Sequence, residues 1–217
     1  MSTTYRAVIF DMDGVLADSE PVYYEAMNAV LRPIGKPVSP ELQSAAMGHG
    51  VEETWRILAE NLGLGNDYEP LVRAYDEYLC EALALIQETL PGVRELLDTL
   101  RSHNVPIGMA SSSWPGWIEA LLRGTSLTPW FDAIVSRTEV PHGKPRPDVY
   151  LEAALRLGVA PELCVGIEDT PTGLAAVRAA GMLAVQVRSS STAFPPIEGA
   201  DIVLETLHDF DLSLVTP

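Results

Sequence analysis

Ala7-Val8-Ile9-Phe10-Asp11-Met12-Asp13-Gly14 joins an unbroken apolar run to two acids and a glycine. Four apolar residues closed by turn chemistry read as a strand buried on both faces. Asp11 and Asp13 stand two apart, so on an extended segment both carboxylates face one small site. Charges of one sign so close repel each other unless a cation or a shared proton relieves them. Gly14 lets the backbone turn tightly beneath whatever is bound there.

Working outward from this stretch, Val105-Pro106-Ile107-Gly108-Met109-Ala110 is a second apolar strand, ending in Ser111-Ser112-Ser113. Gly143-Lys144-Pro145-Arg146-Pro147-Asp148 sets a lysine in a proline-stiffened loop just before a helical pattern. Cys164-Val165-Gly166-Ile167 is another buried run, and it stops at Glu168-Asp169-Thr170-Pro171-Thr172-Gly173. From residue 93 onward strands and helices alternate. Strands are expected over 105–110, 133–135, 164–167, 183–187 and 202–204, and helices over 93–101, 117–122, 149–157 and 173–180. Such alternation predicts a parallel sheet with helices on both faces.

Between Asp18 and Thr89 the periodicity is helical only, over 20–31, 51–62 and 68–86, with Pro33, Gly35, Pro37 and Pro40 as punctuation. The expected fold is α/β: a Rossmann-like doubly wound parallel sheet core, residues 1–17 and 89–217, with an inserted all-helical domain, residues 18–88. Ligands of open parallel sheets bind beyond the carboxyl ends of the strands. Asp11, Ser111, Glu168 and Asp169 all fall at such ends.

Composition narrows the partners. A chain of 217 residues that is 47% hydrophobic can bury a full core. Its formal net charge of -16 argues against nucleic acid, whose phosphates are bound by basic surfaces. No apolar stretch approaches the roughly 18 residues that span a bilayer, and the N-terminus lacks the pattern of a signal peptide. Cys80 and Cys164 lie far apart in apolar patterns and read as buried free thiols, as in a reducing cytoplasm. No CxxC or HExxH spacing supports zinc, and dinucleotide, Walker-A and Gly-x-Ser-x-Gly patterns are missing.

The ordered set of four motifs resembles the haloacid dehalogenase superfamily, in its branch of small-substrate phosphatases and β-phosphoglucomutase-like proteins, across nearly the whole chain. The inserted helices then correspond to that family's cap. The resemblance implies a phosphatase acting on a small phosphorylated metabolite, with Asp11 as the nucleophile that forms an aspartyl phosphate. It implies Asp13 as general acid and then base, a role that a raised pKa in a crowded carboxylate pair can supply. It implies Mg2+, a hard ion that takes oxygen ligands, held by Asp11, the backbone carbonyl of Asp13, Asp169 and Glu168, the last directly or through water. Ser111, the Ser112 amide, Lys144 and the amides of Met12 and Asp13 are the implied holders of the phosphoryl oxygens. An aspartate at position 13 favours a phosphate ester, because the branches that cleave carbon–halogen and carbon–phosphorus bonds lack it.

Two alternatives stay open on sequence. A phosphomutase shares the core; the mutases compared carry a histidine where this chain has Tyr23 and an arginine where it has Val51, which favours a phosphatase. A phosphate-ligand-binding protein without turnover would keep the fold, yet such proteins lose catalytic groups and none is missing here. His49 and Trp55, in the same helical segment, are further candidates for substrate contact. Substrate identity and oligomeric state are not written in the sequence.

Overall fold

In the computed structural model, residues 4–46, 50–190 and 193–216 are described. Six parallel strands form one sheet in the order β3-β2-β1-β4-β5-β6: β1 (Ala7–Phe10), β2 (Ile107–Ser111), β3 (Ala133–Ser136), β4 (Cys164–Glu168), β5 (Leu183–Val187) and β6 (Ile202–Leu204). β1 is buried along its whole length because it is central and covered on both sides. Val8 and Phe10 face one core, shared with α5 (Val93–Ser102) and α6 (Pro115–Gly124). Ala7 and Ile9 face the other, built with α7 (Asp148–Leu157) and α8 (Pro171–Ala179). Strand order reverses between β1 and β4, so a crevice opens at their carboxyl ends. The register that pairs Phe10 with Ile167 carries Asp11 alongside Glu168, and the Asp11 N–H donates to the Ile167 carbonyl at 2.9 Å.

Among the described residues four α-helices lie between β1 and α5: α1 (Glu20–Leu31), α2 (Pro40–Ala46), α3 (Val51–Leu62) and α4 (Glu69–Leu83). No strand occurs among the described residues of this stretch. The two chain crossings into it run side by side, tied by the Leu90 N–H donating to the Leu16 carbonyl at 2.9 Å. The helix α2 corrects the reading of Pro40 as punctuation. Pro40 is its first residue, where a missing N–H costs nothing, and the Ser39 hydroxyl accepts from the Leu42 N–H at 3.2 Å. The fourth helix is also shorter than the 68–86 pattern: regular helix ends at Leu83, and beyond it Ala84 and Ile86 pack on the core while Leu85 is exposed. The second strand starts two residues late, at Ile107, and takes in Ser111.

Candidate active site

The crevice gathers groups far apart in sequence. Lys144 reaches in from the loop before α7, and its Nζ donates to Asp11 Oδ1 at 2.5 Å, Glu168 Oε1 at 2.6 Å and the Ala110 carbonyl at 3.0 Å. All three ammonium protons thus have an acceptor. The three side chains are nearly sealed, at 5% exposure for Lys144, 9% for Asp11 and 1% for Glu168. The Tyr150 hydroxyl also donates to Glu168 Oε1, at 2.7 Å, and its ring lies 5.1 Å under the ammonium.

Asp169 follows at the start of α8. Thr170 caps that helix, its hydroxyl accepting from the Gly173 N–H at 3.1 Å, and Pro171 opens it. Acids at a helix N-terminus are favoured by the macrodipole, which accounts for part of this motif. The rest is close packing against the Asp11 turn. Gly14 sits at φ +73°, and a Cβ there would stand 2.0 Å from Asp169 Oδ2, so only glycine fits. At Gly173 a Cβ would fall 1.9 Å from the Glu168 carboxyl carbon.

Asp13 is held at both oxygens. Ser19 donates to Oδ1 at 2.6 Å and Ser113 to Oδ2 at 2.9 Å, while the Tyr23 hydroxyl lies 3.0 Å from Ser113 Oγ. Of the serine run, Ser112 and Ser113 line the cavity. Ser111 is fully buried, and its hydroxyl accepts from the Ser113 N–H at 3.0 Å. Met12 is buried in the core with only its backbone on the turn. Ser19, Ser113 and Tyr150 were not singled out by the sequence. The available signals were that Ser113 closes a hydroxyl run and that Ser19 immediately precedes α1.

Burial sets the electrostatics. It pushes the Asp11 carboxyl up to about 8; Lys144 pulls the other way, while Glu168 and Asp13 add to the rise. Burial also raises Asp13, against the pull of the Ser19, Ser113 and Tyr23 hydroxyls. Asp169 is driven well above the usual carboxylate range, by burial first and by Glu168 and Asp11 next. Burial opposes the charge on Lys144, yet Asp11 and Glu168 outweigh it and raise the ammonium above an ordinary lysine. One ammonium therefore does not offset this cluster.

A divalent cation fits here. Oxygens of Asp11, Glu168 and Asp169 lie within 4.8 Å of one another, and Asp169 Oδ1 is buried with no hydrogen-bond donor. An all-oxygen set of this kind suits Mg2+. Among the described residues no other group of this kind occurs.

The cavity extends from these acids to the inserted helices, which supply Glu20, Tyr23, Val51, Trp55 and Tyr75 to its wall. Trp55 and Val51 are buried packing residues that also line the space. His49 lies outside the described residues. Tyr23, Tyr75 and Trp117 pack edge to face, and the Trp117 indole N–H donates to Asp76 of α4 at 2.6 Å, joining the helical unit to the core.

The fold and site define an α/β protein whose switch point carries paired strand-end acids, a buried lysine and a hydroxyl loop. The family model described as haloacid dehalogenase-like hydrolase matches residues 5–181, and the chain belongs to that family. It is 36% identical over 177 residues to a phosphorylated carbohydrates phosphatase of Thermotoga maritima, covering 82% of each chain. It is 34% identical over 217 residues to the β-phosphoglucomutase of Bacillus subtilis, covering 97% of this chain and 93% of that one. The crystal structure of β-phosphoglucomutase from Clostridium difficile matches with a TM-score of 0.82 at 27% identity, covering 96% of this chain and 94% of that one. The protein is an enzyme of the haloacid dehalogenase-like hydrolase family, and its matched relatives are named as phosphatases and a phosphomutase.

Proposed function

We propose that the protein is a Mg2+-dependent phosphatase of a small sugar-phosphate-type monoester, working through an aspartyl phosphate on Asp11. The observation that carries this reading is the seating of Asp11: fixed by Lys144, flanked by the donorless Asp169 oxygen, and next to a doubly held Asp13. The Asp11 carboxylate attacks phosphorus in line, and the bond from phosphorus to the ester oxygen breaks. Asp13 gives its proton to the departing alkoxide, then takes one from the water that cleaves the aspartyl phosphate and frees phosphate. Ser113 can accept as well as donate, so Asp13 keeps this contact in either protonation state. Lys144, Ser111 and the Met12, Asp13 and Ser112 amides hold the phosphoryl oxygens. Asp11, the Asp13 carbonyl, Asp169 and Glu168 hold Mg2+, which when bound supplies charge neutralisation for the phosphoryl group.

In this reading residues 18–88 are a cap that closes over residues 1–17 and 89–217 and excludes water. Tyr23 and Val51, where the mutases compared have histidine and arginine, support hydrolysis over transfer between hydroxyls. Free Cys80 and Cys164 suit a reducing cytoplasm. The test is Asp11→Asn with Mg2+ on a panel of sugar phosphates. Turnover should vanish while the melting curve is kept, chelation should stop the wild type, and Mg2+ should restore it. A folded variant with a tenth or more of the wild-type rate, or full activity after exhaustive chelation, sinks the proposal.

A further inference from the structure

We propose that Glu20 selects an uncharged, polyhydroxylated leaving group, accepting its hydroxyl protons and turning away esters that carry a second anion. This deepens the phosphatase reading and rests on it. Glu20 is the first residue of α1 and lines the cavity within electrostatic reach of Asp13 and Asp169. No donor among the described residues reaches its carboxylate; Gln43 beside it donates instead to the Glu20 backbone carbonyl, at 3.4 Å. A half-buried carboxylate without donors is costly unless a ligand brings them. Hydroxyl groups are the donors that a monophosphorylated polyol offers.

The charge of the wall points the same way. Lys144 is the one cation among the described residues lining this cavity, and its ammonium is seated at the phosphoryl end, between Asp11, Glu168 and the Ala110 carbonyl. A second phosphate or carboxylate on the leaving group would face Glu20 with no counter-charge. The neighbouring cleft does hold Arg56 and Arg137, but Glu52 and Glu53 line it too, and Arg56 is already paired with Glu53 and Glu60. Beyond Glu20 the wall is aromatic, with Trp55, Tyr75 and Trp117, which suits the C–H face of a sugar ring or chain.

The experiment is calorimetric binding to Asp11→Asn protein, with Mg2+ at pH 8, of glucose 6-phosphate, glucitol 6-phosphate, phosphoglycolate and fructose 1,6-bisphosphate. The two polyol monophosphates should bind at least about tenfold tighter than the two probes with a second anion, the scale of one unrelieved charge contact. Adding Glu20→Gln should narrow that ratio about tenfold, chiefly by tightening the doubly anionic probes, a gain that a misfolded variant cannot show. Glu20→Ala, as a second variant, should narrow it by weakening the polyol esters. Equal affinities in the Asp11→Asn protein, a ratio unmoved by both Glu20 variants, or no binding of any probe overturns the proposal. Wild-type turnover of the same panel keeps the two readings apart. No turnover alongside an intact binding ratio sinks the phosphatase and supports Glu20; good turnover with a flat ratio does the reverse.

Discussion

Replacing Lys144 by Met removes the one cation that lines the main cavity among the described residues, at nearly constant side-chain length. It leaves Asp11, Glu168 and Asp169 within 4.8 Å of one another, all buried, and strips Asp11 and Glu168 of contacts at 2.5 and 2.6 Å. Taking one partner from a buried pair costs roughly 3–5 kcal/mol, because the stranded charge is then uncompensated. For a chain of this size each kcal/mol moves Tm by about 2–4 °C, so the variant should melt about 6–20 °C lower in chelator. The carboxyls can escape by taking up protons, so the deficit at pH 5.5 should be smaller than at pH 7.5. Mg2+ should recover part of it, since a cation again sits among the oxygens. Lys144→Arg should not rescue, because a planar fork cannot aim three protons at Asp11, Glu168 and Ala110. Urea unfolding in chelator reads the effect as a shift in midpoint at constant slope. A loss below about 1 kcal/mol at pH 7.5 would show that Lys144 does not hold the acids together.

Asp13→Asn should lower turnover of alkyl phosphates by about two to four orders of magnitude, with Mg2+ affinity little changed. An aryl phosphate, which needs little protonation on departure, should still form the Asp11 adduct; rapid quench and intact mass test this, and equal losses on both esters with no adduct refute the role. Glu20 supplies a test of stability against pH. Burial, with Asp13 and Asp18 adding to it, pushes Glu20 up to about 7, above its ordinary 4.5. A carboxyl with a raised folded-state pKa favours the fold below its ordinary pKa, and that benefit is lost as pH rises through 7. Cavity water trims the full shift, so between pH 5 and 8 the wild type should lose about 1–2 kcal/mol more than Glu20→Gln. Parallel urea profiles for the two proteins would refute it.

The sheet was readable because β1, β2 and β4 are apolar runs that stop at polar turns, and a strand sealed on both faces leaves that mark in any sequence. Asp11, Asp13, Glu168 and Asp169 were readable for the same reason, standing where those runs stop. Groups whose meaning depends on distant contacts were not. Ser113 meets Asp13 across 100 residues, and Tyr150 meets Glu168 from a helix face where it looks like any packed aromatic. Lys144 meets Asp11 across 133 residues and was found through its loop motif and the family resemblance, since most lysines are solvated. The helix α2 was missed because a proline that breaks a helix from within begins one from its first turn.

Charge balance links the fold to the chemistry. The switch point puts the ends of β1 and β4 side by side, so any acids placed there must crowd. Two unit charges 5 Å apart in a medium of effective dielectric about 20 interact by about 3 kcal/mol. Three carboxyls ionised together against one ammonium would repel a phosphate dianion, and burial answers this by raising Asp11 and Asp169 toward their protonated forms. The sequence has not removed this repulsion by changing an acid to an amide; it has instead packed Gly14 and Gly173 against the carboxylates to hold them closer. Crowding of that kind serves no purpose in a merely structural turn. In the proposed reading a divalent cation and a phosphoryl group would together complete the charge count, and the donorless Asp169 oxygen and the fixed Asp11 belong to that one reading.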